Sequence, residues 1–289
     1  MPELPEVECS RLLLEDALVG LPIRRIALAP DDIVCEAPRS AIVESVTGAT
    51  VVSAGRKGKF FWLQLDRGVA LMAHLGMSGA ILELTESRQR AVHYKHHMAD
   101  LAGFEPEPPS DNPHQAPYVK MRLDTECGRT VVMTDARRLG RIWLSSDPLQ
   151  DRRVKSLGPD ALRELPSQSS LRAMLAKRKA PIKAVLLDQS FLAGIGNYLA
   201  DEILYQAGVA PTRQAASLSD KECTRIRKAT AEIIPFVVQV EADYDLFPES
   251  WLFHHRWGGS RGNEFIEGQA IVRETVGGRT TAWVPTRQR

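Results

Sequence analysis

Through the first half of the chain, apolar and polar residues alternate in short runs. Residues 23–29, 50–54, 60–65 and 69–74 each read as a strand, and the turn Asp66-Arg67-Gly68 predicts a hairpin between the last two. Residues 119–123, the turn Glu126-Cys127-Gly128 and residues 130–134 repeat that pattern, and residues 142–144 add one more strand. Many short strands with tight turns predict a sandwich or barrel. One helix, over residues 5–19, precedes them and stops at Gly20. Residues 86–117 are polar and proline-rich (Glu105-Pro106-Glu107-Pro108-Pro109) and read as a surface loop or insertion.

Near Asp147-Pro148 the period changes from two to helical. Residues 169–177, 182–187, 197–207 and 219–240 are predicted helices. Ser219 with Glu222 three positions on is a capping-box signature, and Pro235 is expected to kink or break the last helix. After Trp251 the chain becomes glycine-rich and strand-like, with Gly277-Gly278 turning residues 270–272 back onto residues 281–284. The expected organisation is α+β. Residues 1–147 form an N-terminal β-sandwich flanked by helices, 148–250 a helical domain, and 251–289 a small β-hairpin.

With 289 residues, 44% hydrophobic and 25% charged, the chain is long enough for one large or two ordinary domains with a true core. It has no run of 18 apolar residues, so no membrane span is expected, and its acidic start lacks the apolar region of a secretory signal. Cys9, Cys35, Cys127 and Cys223 lie far apart without a C-x-x-C, which excludes a disulfide framework or a four-thiolate zinc site and fits reduced thiols in the cytoplasm. The net charge of +1 announces no polyanionic partner, but basic residues cluster: Arg56, Lys57 and Lys59; Arg137, Arg138, Arg141, Arg152, Arg153 and Lys155; Arg172, Lys177, Arg178, Lys179 and Lys183. Such islands serve either as solvated helix faces or as one phosphate-facing groove.

Pro2 is the first residue with distinctive chemistry. Once Met1 is removed, its nitrogen is a terminal secondary amine. A terminal amine titrates at about 8, whereas a lysine at about 10.4 would need its pKa lowered by roughly 2 to 3 units to match. An unprotonated amine attacks a sugar carbon to give a cationic iminium, an electron sink. Glu3 and Glu6 follow at once, and the helix would point its positive end back at them. The same residues also read simply as a helix entry.

Met1-Pro2-Glu3-Leu4-Pro5-Glu6-Val7-Glu8 resembles the opening of the formamidopyrimidine-DNA glycosylase and endonuclease VIII family of base-excision repair enzymes. Four more segments resemble that family in its own order: Arg56-Lys57-Gly58-Lys59-Phe60, His74-Leu75-Gly76-Met77-Ser78-Gly79, Asp135-Ala136-Arg137-Arg138-Leu139-Gly140, and Gly194-Ile195-Gly196-Asn197-Tyr198-Leu199-Ala200-Asp201-Glu202. The last is similar to the family's helix–two-turn–helix motif.

The resemblance implies a glycosylase with apurinic/apyrimidinic lyase activity on damaged duplex DNA, acting as a monomer without a cofactor. It implies Pro2 as nucleophile at C1′, Glu3 as general acid–base at the sugar ring oxygen, and Lys59 as a phosphate grip beside the site. Glu6 falls near the everted base. Taking a base out of the stack leaves a hole, which the family fills with three side chains that map here to Met77, Arg137 and Leu139. Leu139 departs from the family's usual phenylalanine and loses a flat stacking face. His74, Arg138, Lys183, Gly196, Asn197 and Arg279 map to DNA-contacting positions; the Gly196–Asn197 helix start suits a phosphate. A dinucleotide-binding reading of Gly194-x-Gly196 is rejected because no strand precedes it.

Most relatives end in a four-cysteine zinc finger. Here the matching positions hold Glu264, Glu267, Val284 and Arg287, which make no tetrahedral zinc site, so a metal-free finger is expected. Trp257, Phe265, Ile271 and Trp283 are the residues expected to replace the metal by packing. The stretch 240–257 looks too short for a loop capping an oxidised purine. Ring-opened purines, oxidised pyrimidines and hydantoins are therefore expected before 8-oxoguanine. A catalytically silent damaged-DNA-binding protein is the alternative.

Overall fold

The computed structural model describes residues 2–84, 89–91, 118–257 and 264–289. The insertion expected over 86–117 lies outside them, apart from the backbone of a three-residue strand. The chain divides into two compact units. One comprises Met1–Lys155 together with Glu241–Tyr244, the other Ser156–Val240 and Asp245–Arg289.

The first unit is a sandwich of two antiparallel sheets. One sheet holds β2 (Val51–Lys57), β3 (Phe60–Leu65), β4 (Ala70–His74) and β9 (Arg141–Ser145), in that spatial order. The other has the order β1 (Ile23–Leu28), β7 (Val119–Thr125), β8 (Thr130–Thr134), β5 (Ala80–Leu84) and β6 (Gln89–Ala91). The hairpin around Asp66–Gly68 pairs Phe60 with His74 and Gln64 with Ala70, as the alternation predicts. Helix α1 (Leu4–Leu18) lies against β2 and β3 of one sheet and β5 of the other. Enclosed in this way it buries twelve of its residues, including Glu6, Glu8 and Arg11, and has no polar face to speak of. A short helix α2 (Arg39–Val46) and the strand β5 were not expected. Only Ile42 and Val46 of α2 are buried, too few to reveal a period, and every residue of β5 is buried, so the alternation that marks a strand is absent.

The second unit packs α3 (Gln168–Leu175), α4 (Ile182–Leu187), α5 (Asn197–Ala207) and α6 (Asp220–Gln239) around Leu171, Leu186, Leu199, Ile203 and Ile234. Ser219 and Glu222 close the capping box of α6. That helix does not break at Pro235 but runs four residues beyond it. Two small ribbons complete the unit: β10 (Phe265–Ile266) with β11 (Gln269–Ala270), and β12 (Val272–Val276) with β13 (Arg279–Trp283). Gly277 and Gly278 both have positive φ, the requirement of the tight turn between β12 and β13. A Cβ on Gly277 would come within 2.7 Å of the Ala184 methyl, so the hairpin tip rests directly on α4.

Candidate active site and nucleic-acid interface

The acidic start of the chain forms the buried entry of α1. Pro2 is buried, and Glu3 and Glu6 are each 1% exposed. Glu3 is the N-cap, and its backbone N–H donates to Glu6 Oε2 at 2.7 Å. This pins the Glu6 carboxylate at the positive end of the helix, where negative charge is favoured. Tyr244, which the sequence reading did not single out, donates its hydroxyl to Glu6 Oε1 at 3.4 Å. It follows Glu241 and Ala242, two consecutive left-handed residues, with Ala242 fully buried.

Lys59 sits in the two-residue turn between β2 and β3, which Gly58 makes at φ +58. A buried ionic strut ties this hairpin to α1. Arg56 Nε donates to Glu8 Oε2 at 2.6 Å, Arg56 Nη1 donates to the Gly58 carbonyl at 2.9 Å, and Arg11 pairs with Glu8 at 3.0 Å. Burial works to raise the Glu8 pKa, but hydrogen bonds and charge from Arg56 and Arg11 outweigh it and hold the carboxyl below its ordinary value. Arg56 is 4% exposed, so this member of the first basic island belongs to the interior and not to a phosphate groove.

His74 is the cross-strand neighbour of Phe60, and their rings lie 4.9 Å apart. Burial and the nearby charges of Lys59, Arg141 and Arg153 push its pKa down to about 4, against a smaller opposing effect of Asp135. Its Nδ1 accepts the Gly76 N–H at 3.0 Å, so at neutral pH the imidazole is uncharged and carries its proton on Nε2. His74 therefore offers a hydrogen-bond donor, not a cation.

Met77, Arg137 and Leu139 lie on two loops that the fold brings together. Ser78 Oγ donates to Asp135 Oδ1 at 2.6 Å, and Gly140 N donates to Asp135 Oδ2 at 2.6 Å. Arg137 N donates to both Ser78 Oγ and Asp135 Oδ1. Gly76, at φ +63, lets the loops touch, because a Cβ there would sit 2.4 Å from the Leu139 carbonyl carbon. Leu139 and Arg137 are exposed and Met77 is half-buried. Arg138, assigned to a phosphate, is exposed and paired with Asp31. Its Nε and Nη2 donate to the two oxygens of Asp31 at 2.8 and 3.1 Å.

In the second unit, Gly196 is the N-cap of α5, and Asn197 Nδ2 donates to the Thr280 carbonyl at 3.0 Å. That bond sets the helix start beside Arg279, which is exposed and, among the described residues, has no side-chain partner. Lys183 is a correction. It is fully buried, 2.6 Å from Asp201, and donates to the Thr280 carbonyl and to Thr281 Oγ1. Its ammonium is taken up by protein partners and is not presented to a phosphate. Arg256 completes the cluster at 2.9 Å from Asp201.

The four positions aligned with zinc ligands do not fit a metal. Arg287 pairs with Glu267 at 3.7 Å and stacks on the Tyr205 ring at 4.2 Å. Val284 packs with Tyr205, Leu252, Ile266, Ile271 and Ala282. A guanidinium and an isopropyl group donate nothing to a cation. The substitute packing differs from that expected: Ile271 belongs to the cluster, whereas Trp257 and Phe265 are 47% and 57% exposed.

Residues 1–142 match the family described as formamidopyrimidine-DNA glycosylase N-terminal domain, and residues 157–245 match the formamidopyrimidine-DNA glycosylase H2TH domain. A formamidopyrimidine-DNA glycosylase of Arabidopsis thaliana is 37% identical over 294 residues, covering 100% of this chain and 71% of that protein. Its counterpart in Thermus thermophilus is 31% identical over 300 residues, covering 100% of this chain and 98% of the other. Among solved structures, the Lactococcus lactis Fpg in complex with abasic-site DNA superposes with a TM-score of 0.76 at 22% identity, covering 99% of each chain. The complex of the Lactococcus lactis protein with Fapy-dG DNA gives 0.77 at 22%, covering 99% of this chain and 100% of that one. At such identity the structural likeness speaks for the fold.

Proposed function

The chain belongs to the formamidopyrimidine-DNA glycosylase family, and on that premise we propose how its own residues carry out the reaction. It is a bifunctional DNA glycosylase and AP lyase acting on damaged DNA. The Pro2 nitrogen, freed by removal of Met1, forms a bond to C1′ of the damaged nucleotide as the glycosidic bond breaks and the base departs. Glu3 protonates the ring oxygen as the sugar opens, and the nitrogen then holds the sugar as an iminium. Loss of the C2′ proton expels the 3′ phosphate, and a second elimination expels the 5′ phosphate. Proton delivery of the kind assigned to Glu3 typically contributes 10²–10⁴-fold.

The observation that carries this reading is the buried Pro2–Glu3–Glu6 entry of α1, held to the Lys59 hairpin by the Glu8–Arg56 strut. Met77, Arg137 and Leu139 are read as the wedge in the opened duplex. Gly196, Asn197 and Arg279 are read as backbone contacts, and His74 as a neutral donor to a phosphate. The short stretch 240–257, whose Tyr244 donates to Glu6, is read as favouring ring-opened purines, oxidised pyrimidines and hydantoins over 8-oxoguanine. The protein is read as a monomer of the cytoplasm or nucleoid.

Borohydride trapping on a lesion-bearing duplex tests the mechanism. A covalent adduct is expected, and Pro2→Gly should abolish most of it. Full trapping by that variant, or by protein whose mass shows Met1 still attached, overturns the assignment of the nucleophile. Absence of any adduct would favour a silent binding protein. Excision rates on each lesion test this preference, and fastest release of 8-oxoguanine would refute it.

A further inference from the structure

Arg137, Arg138 and Arg141 crowd one short stretch, and charge alone does not say which of them faces DNA. The segment 31–36 sorts them. It pairs with the start of β9, the Val34 carbonyl accepting from Ile142 N at 2.8 Å and Glu36 N donating to the Ile142 carbonyl at 2.9 Å. Asp31, 5% exposed, accepts from its own Ile33 and Val34 N–H groups, pairs with Lys120 at 3.3 Å, and grips Arg138 through two bonds. The Arg138 hydrogen bond, helped by Lys120, holds its carboxyl far below the ordinary range. Glu36 takes Arg141 at 3.0 Å and also Arg153. Arg141 in turn donates to the Gly140 and Arg138 carbonyls. Arg137 alone of the three has no side-chain partner among the described residues. Arg138 itself is left-handed at φ +56, a costly conformation for a residue with a Cβ, and it lies between the two exposed wedge residues.

We propose that Asp31 is a positioning residue. It withdraws Arg138 from the DNA-facing charge of the loop and fixes the backbone kink from which Arg137 and Leu139 project, so that Arg137 is the guanidinium this loop directs at DNA. The proposal rests on the glycosylase reading, since it assumes that this loop meets the duplex. It replaces the assignment of Arg138 as a phosphate ligand.

The test is the salt dependence of binding to a duplex with a tetrahydrofuran abasic analogue, followed by fluorescence anisotropy. Each phosphate neutralised contributes about 0.9 to the slope of log K against log salt. Arg137→Gln should flatten the slope by about one unit, and Arg138→Gln should leave it unchanged. Asp31→Asn should steepen it by about one unit, because the released Arg138 reaches a phosphate, and adding Arg138→Gln to that variant should restore the wild-type slope. A purely structural role for Asp31 predicts weaker binding at unchanged slope. A slope flattened by Arg138→Gln, unchanged by Arg137→Gln, or unchanged by Asp31→Asn overturns the proposal. A wild-type protein that binds the duplex but yields no borohydride adduct sinks the glycosylase reading instead, and the slopes still decide the role of Asp31.

Discussion

Replacing Asp201 by asparagine removes the negative charge from a cluster in which Lys183 lies 2.6 Å away on one side and Arg256 2.9 Å away on the other. The Lys183 and Asp201 side chains are 0% and 1% exposed, and that of Arg256 is 8% exposed, so water cannot screen the two cations left behind. Breaking a buried ion pair from one side costs about 3–5 kcal/mol. The loss should fall on the hairpin, because Lys183 holds the Thr280 carbonyl and Thr281 Oγ1, and Asp201 lies 3.5 Å from the Ala282 N–H. At about 1.4 kcal/mol per factor of ten, the hairpin would open some 10²–10³-fold more often. Native-state hydrogen exchange at the Thr281 and Ala282 amides reads this directly. Lys183→Met should cost less, because Arg256 remains as the counter-charge of Asp201. Unchanged exchange in Asp201→Asn, or a larger effect from Lys183→Met, would refute the idea that opposed charges, and not apolar contact alone, keep the hairpin on its helices.

Glu8→Gln leaves Arg56 and Arg11 buried without their shared counter-charge and should cost a similar ~3–5 kcal/mol in urea unfolding. Because the strut sets the Lys59 turn, the strand-scission rate of the fully folded variant should drop by on the order of 10²-fold, and a wild-type rate would show that the strut only stabilises. Glu202 accepts from Phe253 N and Gln206, and burial raises its pKa to about 7. Between the ordinary value of 4.5 and about 7 the unfolded chain has released this proton while the folded chain keeps it, so stability falls as pH rises across that window, by up to ~3 kcal/mol. Glu202→Gln should flatten that part of the stability–pH curve, and an unaltered curve would show that the carboxyl is charged when buried.

The fold was largely legible because it is written in local signals. The hairpins announce themselves by alternation and by Asp66-Arg67-Gly68 or Gly277-Gly278, α1 by its Gly20 stop and α6 by its capping box. Elements lacking a period were invisible: α2 has two buried residues, and β5 is buried on both faces. The two touching loops of Met77 and of Arg137–Leu139 and the buried acidic entry of α1 carry their residues in contiguous motifs, so they too could be read. What could not be read were charges matched across distance. Arg138 is satisfied by Asp31, Arg56 by Glu8 and Lys183 by Asp201, none a sequence neighbour, so each looked like a cation awaiting a phosphate. Aromatic residues misled for a related reason. Trp257 and Phe265 are large enough to fill a core, but Tyr205 and a set of aliphatic side chains fill it here.

A finger whose four zinc-ligand positions hold no thiolate bears on the chemical conditions in which such an enzyme is needed. Oxidants that damage DNA bases also attack thiolates, and a finger built on four of them would lose its metal in the same burst. No cysteine follows Cys223 in this sequence. A carboxylate facing two cations, a guanidinium stacked on a phenol ring and a knot of aliphatic groups offer peroxide no sulfur to oxidise. The grip on DNA should therefore persist under the very stress that multiplies its substrates.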